Sequence, residues 1–275
     1  MAEYLRLKPD TLSSHRGVVP DKTVGQLIDR YMEEEVPNKK GAKWEMVRCK
    51  LLKRARIAQV RCKNLDHTHL ATWQKERLRD VSSASVRRER NILNHILNLA
   101  VREWGWLRYN PFERVRRPAD SKPRDRVPTK DELDALIAAA SPEMRRVITI
   151  ATQTGMRASE IASLKHWEGR VAHVKDAKTL AGVRLVPLTQ VAVGVLKDGP
   201  ITITAGSISA LFIKLCDKAE IEGLHFHDLR RYAGSWLSKH MDPMQLAKVL
   251  GHSDPRITMK HYYQNDVAAL AEKLG

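Results

Sequence analysis

Residues 250–264 read LGHSDPRITMKHYYQ: a Gly-His pair, one short helical stretch, then two adjacent tyrosines. They lie near the end of a 275-residue chain with a formal net charge of +16 and a pI near 9.9. Such a charge calls for a polyanionic partner, nucleic acid before an anionic membrane surface. The question set by this stretch is why a strongly basic protein holds two phenols side by side, and whether either one reacts.

Working outward, the charge is uneven. Residues 1–124 carry 28 Lys and Arg against 15 Asp and Glu, and residues 125–275 carry 20 against 17. The N-terminal part therefore holds most of the electrostatic grip. After a loose, flexible start over residues 1–20, TVGQLIDRYMEEEV sets Val24, Leu27, Ile28 and Tyr31 on one helical stripe, closed by Pro37. KWEMVRCKLLKRARI, HLATWQKERL and SASVRRERNILNHILNLAVREW read as three more helices, the last with Val86, Leu93, Leu97 and Val101 along one side. Trp44, Trp73, Trp104 and Trp106 read most simply as core, and His67 and His69 as exposed helix residues without further metal ligands nearby. Residues 110–128, NPFERVRRPADSKPRDRVP, combine four prolines with charge and no apolar period, and the boundary falls near Arg124. This divides the chain into a basic helical domain over 21–118, the candidate for binding nucleic acid, a linker over 119–128 and a second domain over 129–275.

The second domain opens on a capping box between Thr129 and Glu132, and Ser141-Pro142 starts a largely apolar helix running to Gly155. RVAHV and VRLVPL have the β-branched alternation of two short strands, joined by a hairpin turn at DAKTLAG. Helices resume at Ser207, after Phe226 and at Asp242-Pro243, and DVAALAEKL forms a last short one. The fold class is mainly α with a small antiparallel β-sheet.

Four pieces of this domain carry cations or histidines: Arg157 in TGMRASEIASL, Lys178 in AKTLAG, His227 and Arg230 in HDLRR, and His252 in LGH. His227 and Arg230 stand three apart and share a helix face, while Tyr232 points away from it. Two guanidiniums can pair with the non-bridging oxygens of a phosphodiester, and their charge counts for more as the phosphoryl group gains negative charge. Carboxylate clusters for Mg²⁺ and paired His/Cys spacing are not evident, and the three cysteines form no CxxC pair, so no metal or other cofactor is expected. A side-chain nucleophile is then the natural route, which gives the tyrosines their interest. The chain shows no apolar run long enough to span a membrane and no secretion signal, and a cytoplasmic location is expected.

This set resembles the tyrosine recombinases, the family of phage integrases and chromosome-dimer resolvases, over nearly the whole chain. The resemblance implies a core-binding domain over the basic helices and a catalytic domain over the rest, together clamping duplex DNA and exchanging strands through a 3′-phosphotyrosyl intermediate. It implies that Arg157 and Arg230 stabilise the phosphorane, Lys178 protonates the leaving 5′ oxygen, His227 acts as acid or base near the tyrosine, and His252 bonds the phosphate. Glu160, three after Arg157, matches an acidic position that holds the site together. AKTLAGVRLVP runs one residue longer than the common KTGxxRxVP pattern, which keeps Lys175 as the alternative to Lys178. Members commonly place the nucleophile nine residues after the second histidine; that position is His261 here, so Tyr262 is chosen over Tyr263. Also implied are a homotetramer on synapsed sites through exchange of the C-terminal segment DVAALAEKLG, and a phage or mobile-element integrase. There is little room before residue 21 for the arm-binding domain of many phage integrases. A type IB topoisomerase and a catalytically idle DNA-binding regulator are the competing readings.

Overall fold

The computed structural model describes residues 20–120, 124–175 and 183–263. Residues 1–19 of the start expected to be flexible, Lys178 with the expected turn at DAKTLAG, and the C-terminal segment DVAALAEKLG lie outside the described residues, as does part of the linker. The chain divides into two compact units, Met1–Pro123 and Arg124–Gly275.

The first unit is built from four helices: α1 (Val24–Glu34), α2 (Ala42–Arg54), α3 (His67–Asp80) and α4 (Ser83–Arg102). Helix α1 begins where Thr23 and Gln26 satisfy each other's backbone N–H groups, and the stripe Val24, Leu27, Ile28 and Tyr31 is fully buried. It ends at Glu34, before a short 3₁₀ turn over Val36–Asn38 that takes Pro37 in its first turn. Asp66 caps α3 through the N–H groups of Thr68 and His69, and its carboxylate also meets the His69 ring, a local use for that histidine. Leu93, Ile96 and Leu97 of α4 close the core over Leu27, Leu52, Leu70 and Trp73. Trp104 and Trp106 pack at the edge of this core, but Trp44 does not belong to it. It is 48% exposed, because α2 turns its apolar side, Cys49 and Leu52, inward and leaves Trp44 on the opposite face.

The second unit starts with α5 (Lys130–Ala139) behind the Thr129–Glu132 capping box, followed by α6 (Pro142–Thr154) behind Ser141. Gly155 ends α6 in the left-handed region at φ 69°, where a side chain would be strained and its Cβ would lie 2.6 Å from Leu250 Cδ2. The short helix α7 (Ala158–Ala162) then leads to a three-stranded antiparallel sheet in the order β1 (Trp167–Glu168), β2 (Val171–Val174), β3 (Arg184–Pro187). In the central pair Ala172 faces Val186, and both are fully buried. The sequence reading missed two elements here. One is β1, too short for alternation to show, and the other is α8 (Gln190–Lys197), a Val-rich run behind the Thr189 cap that the sequence reading left unassigned.

Three further helices were expected, and α9 (Ala205–Lys218) begins two residues before Ser207 because Thr204 supplies the cap. Then come α10 (Phe226–Leu237), α11 (Pro243–Leu250, capped by Asp242) and α12 (Pro255–Tyr262, capped by Asp254). The core of this unit gathers Leu136, Val147, Ile148, Ile150, Ile208, Phe212 and Leu229 around the sheet, and Tyr232 packs against it as expected. No helix among the described residues is long and apolar enough to cross a membrane.

Candidate active site

Three backbone devices aim the site. The chain leaves α6 through Gly155 and two residues later Arg157 caps α7, so its guanidinium is presented at a turn rather than along a helix. Asp228, buried in the first turn of α10, accepts the His225 N–H at 2.8 Å and Arg124 Nη2 at 3.0 Å; this fixes the start of the helix that carries His227 and Arg230. Gly251 ends α11 in the left-handed region at φ 67°, and His252 follows directly.

Glu160 is the anchor of the cationic cluster. Its buried carboxylate accepts Arg184 Nη1 at 2.9 Å and Nη2 at 3.1 Å, Arg157 Nη1 at 2.7 Å, and the Arg157 N–H at 2.8 Å. Burial alone would raise its pKa, but the Arg184 and Arg157 bonds outweigh that and hold it at about 2. Removing one partner from a buried pair costs about 3 to 5 kcal/mol, so Glu160 is as structural as it is electrostatic. Arg184 went unassigned in the sequence, although a cation inside the apolar alternation of VRLVPL was the available signal. It donates from Nε to the Val249 carbonyl at 2.6 Å, and its guanidinium lies where a Cβ on Gly251 would meet it at 3.0 to 3.1 Å. A glycine is thus required at 251 both by its φ and by this stacked arginine.

Arg230 is almost fully buried and donates from Nη1 to the Gly155 carbonyl at 2.8 Å and from Nη2 to the Leu250 carbonyl. Burial and the nearby Arg157 push its pKa down to about 9, which leaves it a cation at neutral pH. Arg157, His227 and Arg230 line one cleft of about 480 Å³ together with Ser159, Gly206 and Ser209. His227, set in the cleft wall, keeps part of its ring open to solvent where Arg230 on the same helix face is buried, a difference that the three-residue spacing could not show. Desolvation, then Arg230, lower the His227 pKa. His252 is pushed further, to about 4, by burial and then by Arg230 and Arg157, and its Nδ1 pairs with the buried Thr258 hydroxyl at 2.7 Å. For Arg230, His227 and His252 alike, burial comes first and the neighbouring cations second in lowering the pKa, so this part of the site favours a negatively charged ligand.

Tyr262 lies flat on α10. A Cβ on Gly234, one turn beyond Arg230, would overlap its ring and stand 2.8 Å from its hydroxyl oxygen. Its pKa is raised by burial against the downward pull of Arg230 and Arg231. Tyr263 is not the next residue of a regular helix: it caps α12 at φ −125° and ψ 35°, and its hydroxyl donates to the Met241 carbonyl. The two phenols are separated by this change of backbone conformation rather than by a 100° helical step. Lys175 is exposed just after β2, and Lys178 lies outside the described residues. Among the described residues no group of three or more His, Cys, Asp or Glu is placed to hold a metal ion.

The Gly234 contact gives a direct expectation. Gly234→Val should slow covalent adduct formation by about ten-fold or more, because displacement of an attacking group by about 1 Å costs up to about 100-fold. DNA affinity should stay unchanged in a gel-shift titration. Equal rates for the variant and the wild type would show that the Tyr262 seat has no bearing on the reaction.

A sequence model of the phage integrase family matches residues 201–268, which span α9 to the tyrosines. A Haemophilus influenzae protein described as an integrase/recombinase is 33% identical over 281 residues, covering 94% of this chain and 92% of that one. In fold, the chain is similar to the Tn1549 transposon integrase solved with a circular intermediate DNA, with a TM-score of 0.77 at 17% identity over 92% of this chain and all of that one. It is likewise similar to lambda integrase solved as a tetramer on a Holliday junction, with a TM-score of 0.76 at 18% identity over 93% and 81% of the two chains. The fold is that of the Tn1549 and lambda integrases. The chain belongs to the phage integrase family of site-specific tyrosine recombinases.

Proposed function

We propose that this recombinase cuts and rejoins duplex DNA through a 3′-phosphotyrosyl intermediate on Tyr262, with no metal ion and no ATP. The observation that carries the reading is the seating of the Tyr262 phenol on Gly234, one helical turn from a buried Arg230 that lines a cleft with Arg157 and His227. The phenolic oxygen attacks phosphorus while the bond to the 5′ oxygen breaks. Its proton passes to His227, whose lowered pKa keeps it neutral and able to accept one. Arg157 and Arg230 take up the added charge of the five-coordinate phosphorane, and His252, uncharged at neutral pH, bonds a phosphate oxygen. Lys178 gives the departing 5′ oxygen its proton. Because the phosphotyrosyl ester keeps the energy of the phosphodiester, attack by a 5′ hydroxyl reverses the step and rejoins the strand.

The N-terminal unit, as the core-binding domain over residues 21–118, supplies most of the electrostatic grip, and residues 129–275 supply the chemistry. Two sites are brought together by a homotetramer through exchange of residues 266–275; the lambda integrase tetramer on a Holliday junction supports this assembly. The test is a nicked suicide substrate made from the repeats flanking the gene, incubated with the full chain in EDTA without ATP. A covalent protein–DNA adduct is expected. Loss of the adduct on chelation, restored by Mg²⁺, refutes the metal-free step, and absence of adduct under all conditions favours a DNA-binding regulator.

The lysine is tested separately. Lys178→Ala should cleave poorly on ordinary DNA and regain cleavage on a substrate whose 5′ bridging oxygen is sulfur, since a thiolate leaves with little help from a proton donor. Rescue seen for Lys175→Ala instead would move the role to that residue.

A further inference from the structure

Asp228 is a carboxylate in a place that disfavours one. It is buried in the first turn of α10, next to His227 and two residues before Arg230. The helix N-terminus gives it some support, since its Oδ2 accepts the His225 N–H at 2.8 Å. A buried carboxylate still calls for a counter-charge. Among the described residues its one ion pair is with Arg124, whose Nη2 stands 3.0 Å from the same oxygen. Arg126, two residues on, is engaged elsewhere: its Nη1 donates to Glu132 at 3.0 Å and to the Val127 carbonyl at 2.9 Å.

Arg124 Nη2 also donates to the Gly223 carbonyl at 2.6 Å. Gly223, in the left-handed region at φ 65°, lies two residues before the His225 cap, and Asp228 lies three after it. One guanidinium group therefore bridges the chain that enters α10 and the first turn of the helix. Any shift of this turn carries His227 and Arg230 with it. Arg230 has further ties to the Gly155 and Leu250 carbonyls, whereas His227 makes no hydrogen bond among the described residues and is aimed by its place on α10 alone.

The Arg124 side chain is 49% exposed, and a half-exposed pair adds little to global stability. When its guanidinium is removed, water can reach the Asp228 carboxylate through the gap, so the fold survives while the turn loses its tie. The effect of the pair belongs in the rate of reaction. We propose that Arg124 is a positioning residue of strand cleavage: by closing on Asp228 and on the Gly223 carbonyl it seats the first turn of α10, and so aims His227 and Arg230 at the phosphate. The segment that opens the second unit is then part of the support of the active site. This deepens the recombinase reading and rests on it for the reaction.

The test measures single-turnover adduct formation by the full chain on a nicked suicide substrate at saturating DNA, beside DNA affinity by gel shift and thermal unfolding. Arg124→Ala should lower the rate by about ten-fold or more, since displacement of a reacting group by about 1 Å costs up to about 100-fold. Affinity and melting temperature should stay close to those of the wild type. Arg124→Lys keeps the charge without the fork and should recover part of the rate. Asp228→Asn keeps an acceptor for the His225 N–H and removes the charge, so in that background Arg124→Ala should cost much less than it does alone. Equal costs in the two backgrounds overturn the proposal. So does a loss of affinity with the rate at saturation unchanged, which would make Arg124 a phosphate contact, and so does a rate that falls only with the folded fraction. A wild type that forms no adduct overturns the recombinase reading itself, and this proposal with it.

Discussion

Tyr262→Phe should fold, bind DNA and form no covalent adduct, while Tyr263→Phe should still form it. The first change removes only the phenolic oxygen from a ring seated on Gly234 beside Arg230, so packing survives and the nucleophile is gone. The second removes a hydroxyl whose hydrogen bond runs to the Met241 carbonyl, away from the cleft lined by Arg157 and His227. A neutral hydrogen bond of this kind contributes about 0.5 to 1.5 kcal/mol, so Tyr263→Phe should loosen the end of α12 and slow the reaction only modestly. Trapping the adduct on a suicide substrate, digesting it and locating the nucleotide by mass spectrometry distinguishes the two. A label on Tyr263, or adduct from Tyr262→Phe, moves the nucleophile; adduct from both single variants places it elsewhere in the chain.

Arg230→Lys should lower the single-turnover rate of adduct formation by at least about 100-fold, the scale set by deleting one preorganised donor to a developing charge. Arg230 has two duties. It ties the Gly155 carbonyl after α6 to the Leu250 carbonyl at the end of α11, and it holds positive charge in the cleft. An ammonium cannot span both carbonyls and still present a fork to phosphate. Some destabilisation should accompany the change, because a buried carbonyl is left unpaired. Comparing adduct rate with DNA affinity and melting temperature separates the duties: a rate that falls only in proportion to the folded fraction would show that Arg230 is structural alone.

Much of the architecture was legible because it rests on local physics. The apolar stripe from Val24 to Tyr31, the Thr129–Glu132 capping box, Pro after Ser141 and Asp242, and glycine after α6 each act within one or two helical turns of chain, and each falls where the sequence placed it. Trp44 shows the limit. Residue type suggests a core tryptophan, but the side of α2 that faces inward is decided by what α1 and α4 offer it, and that is a long-range matter. For α8, the β-branched residues obscured a helix whose packing against α6 overrides propensity.

The sequence alone determined the residue types of the site and their order along the chain: Arg157, His227 with Arg230, His252, and a tyrosine pair ten and eleven residues after that histidine. Only the tertiary structure decided which of them are buried, which share a cleft and how the two phenols differ. Arg184 emerged as the partner of Glu160 from a strand 24 residues away, Arg230 as a buried tie between two distant carbonyls, and Gly234 as the seat of Tyr262. The reason is physical. Periodicity and capping report forces that act over one or two turns of chain, whereas desolvation, the pairing of buried charges and the space left by a missing side chain depend on segments that meet only when the chain has folded.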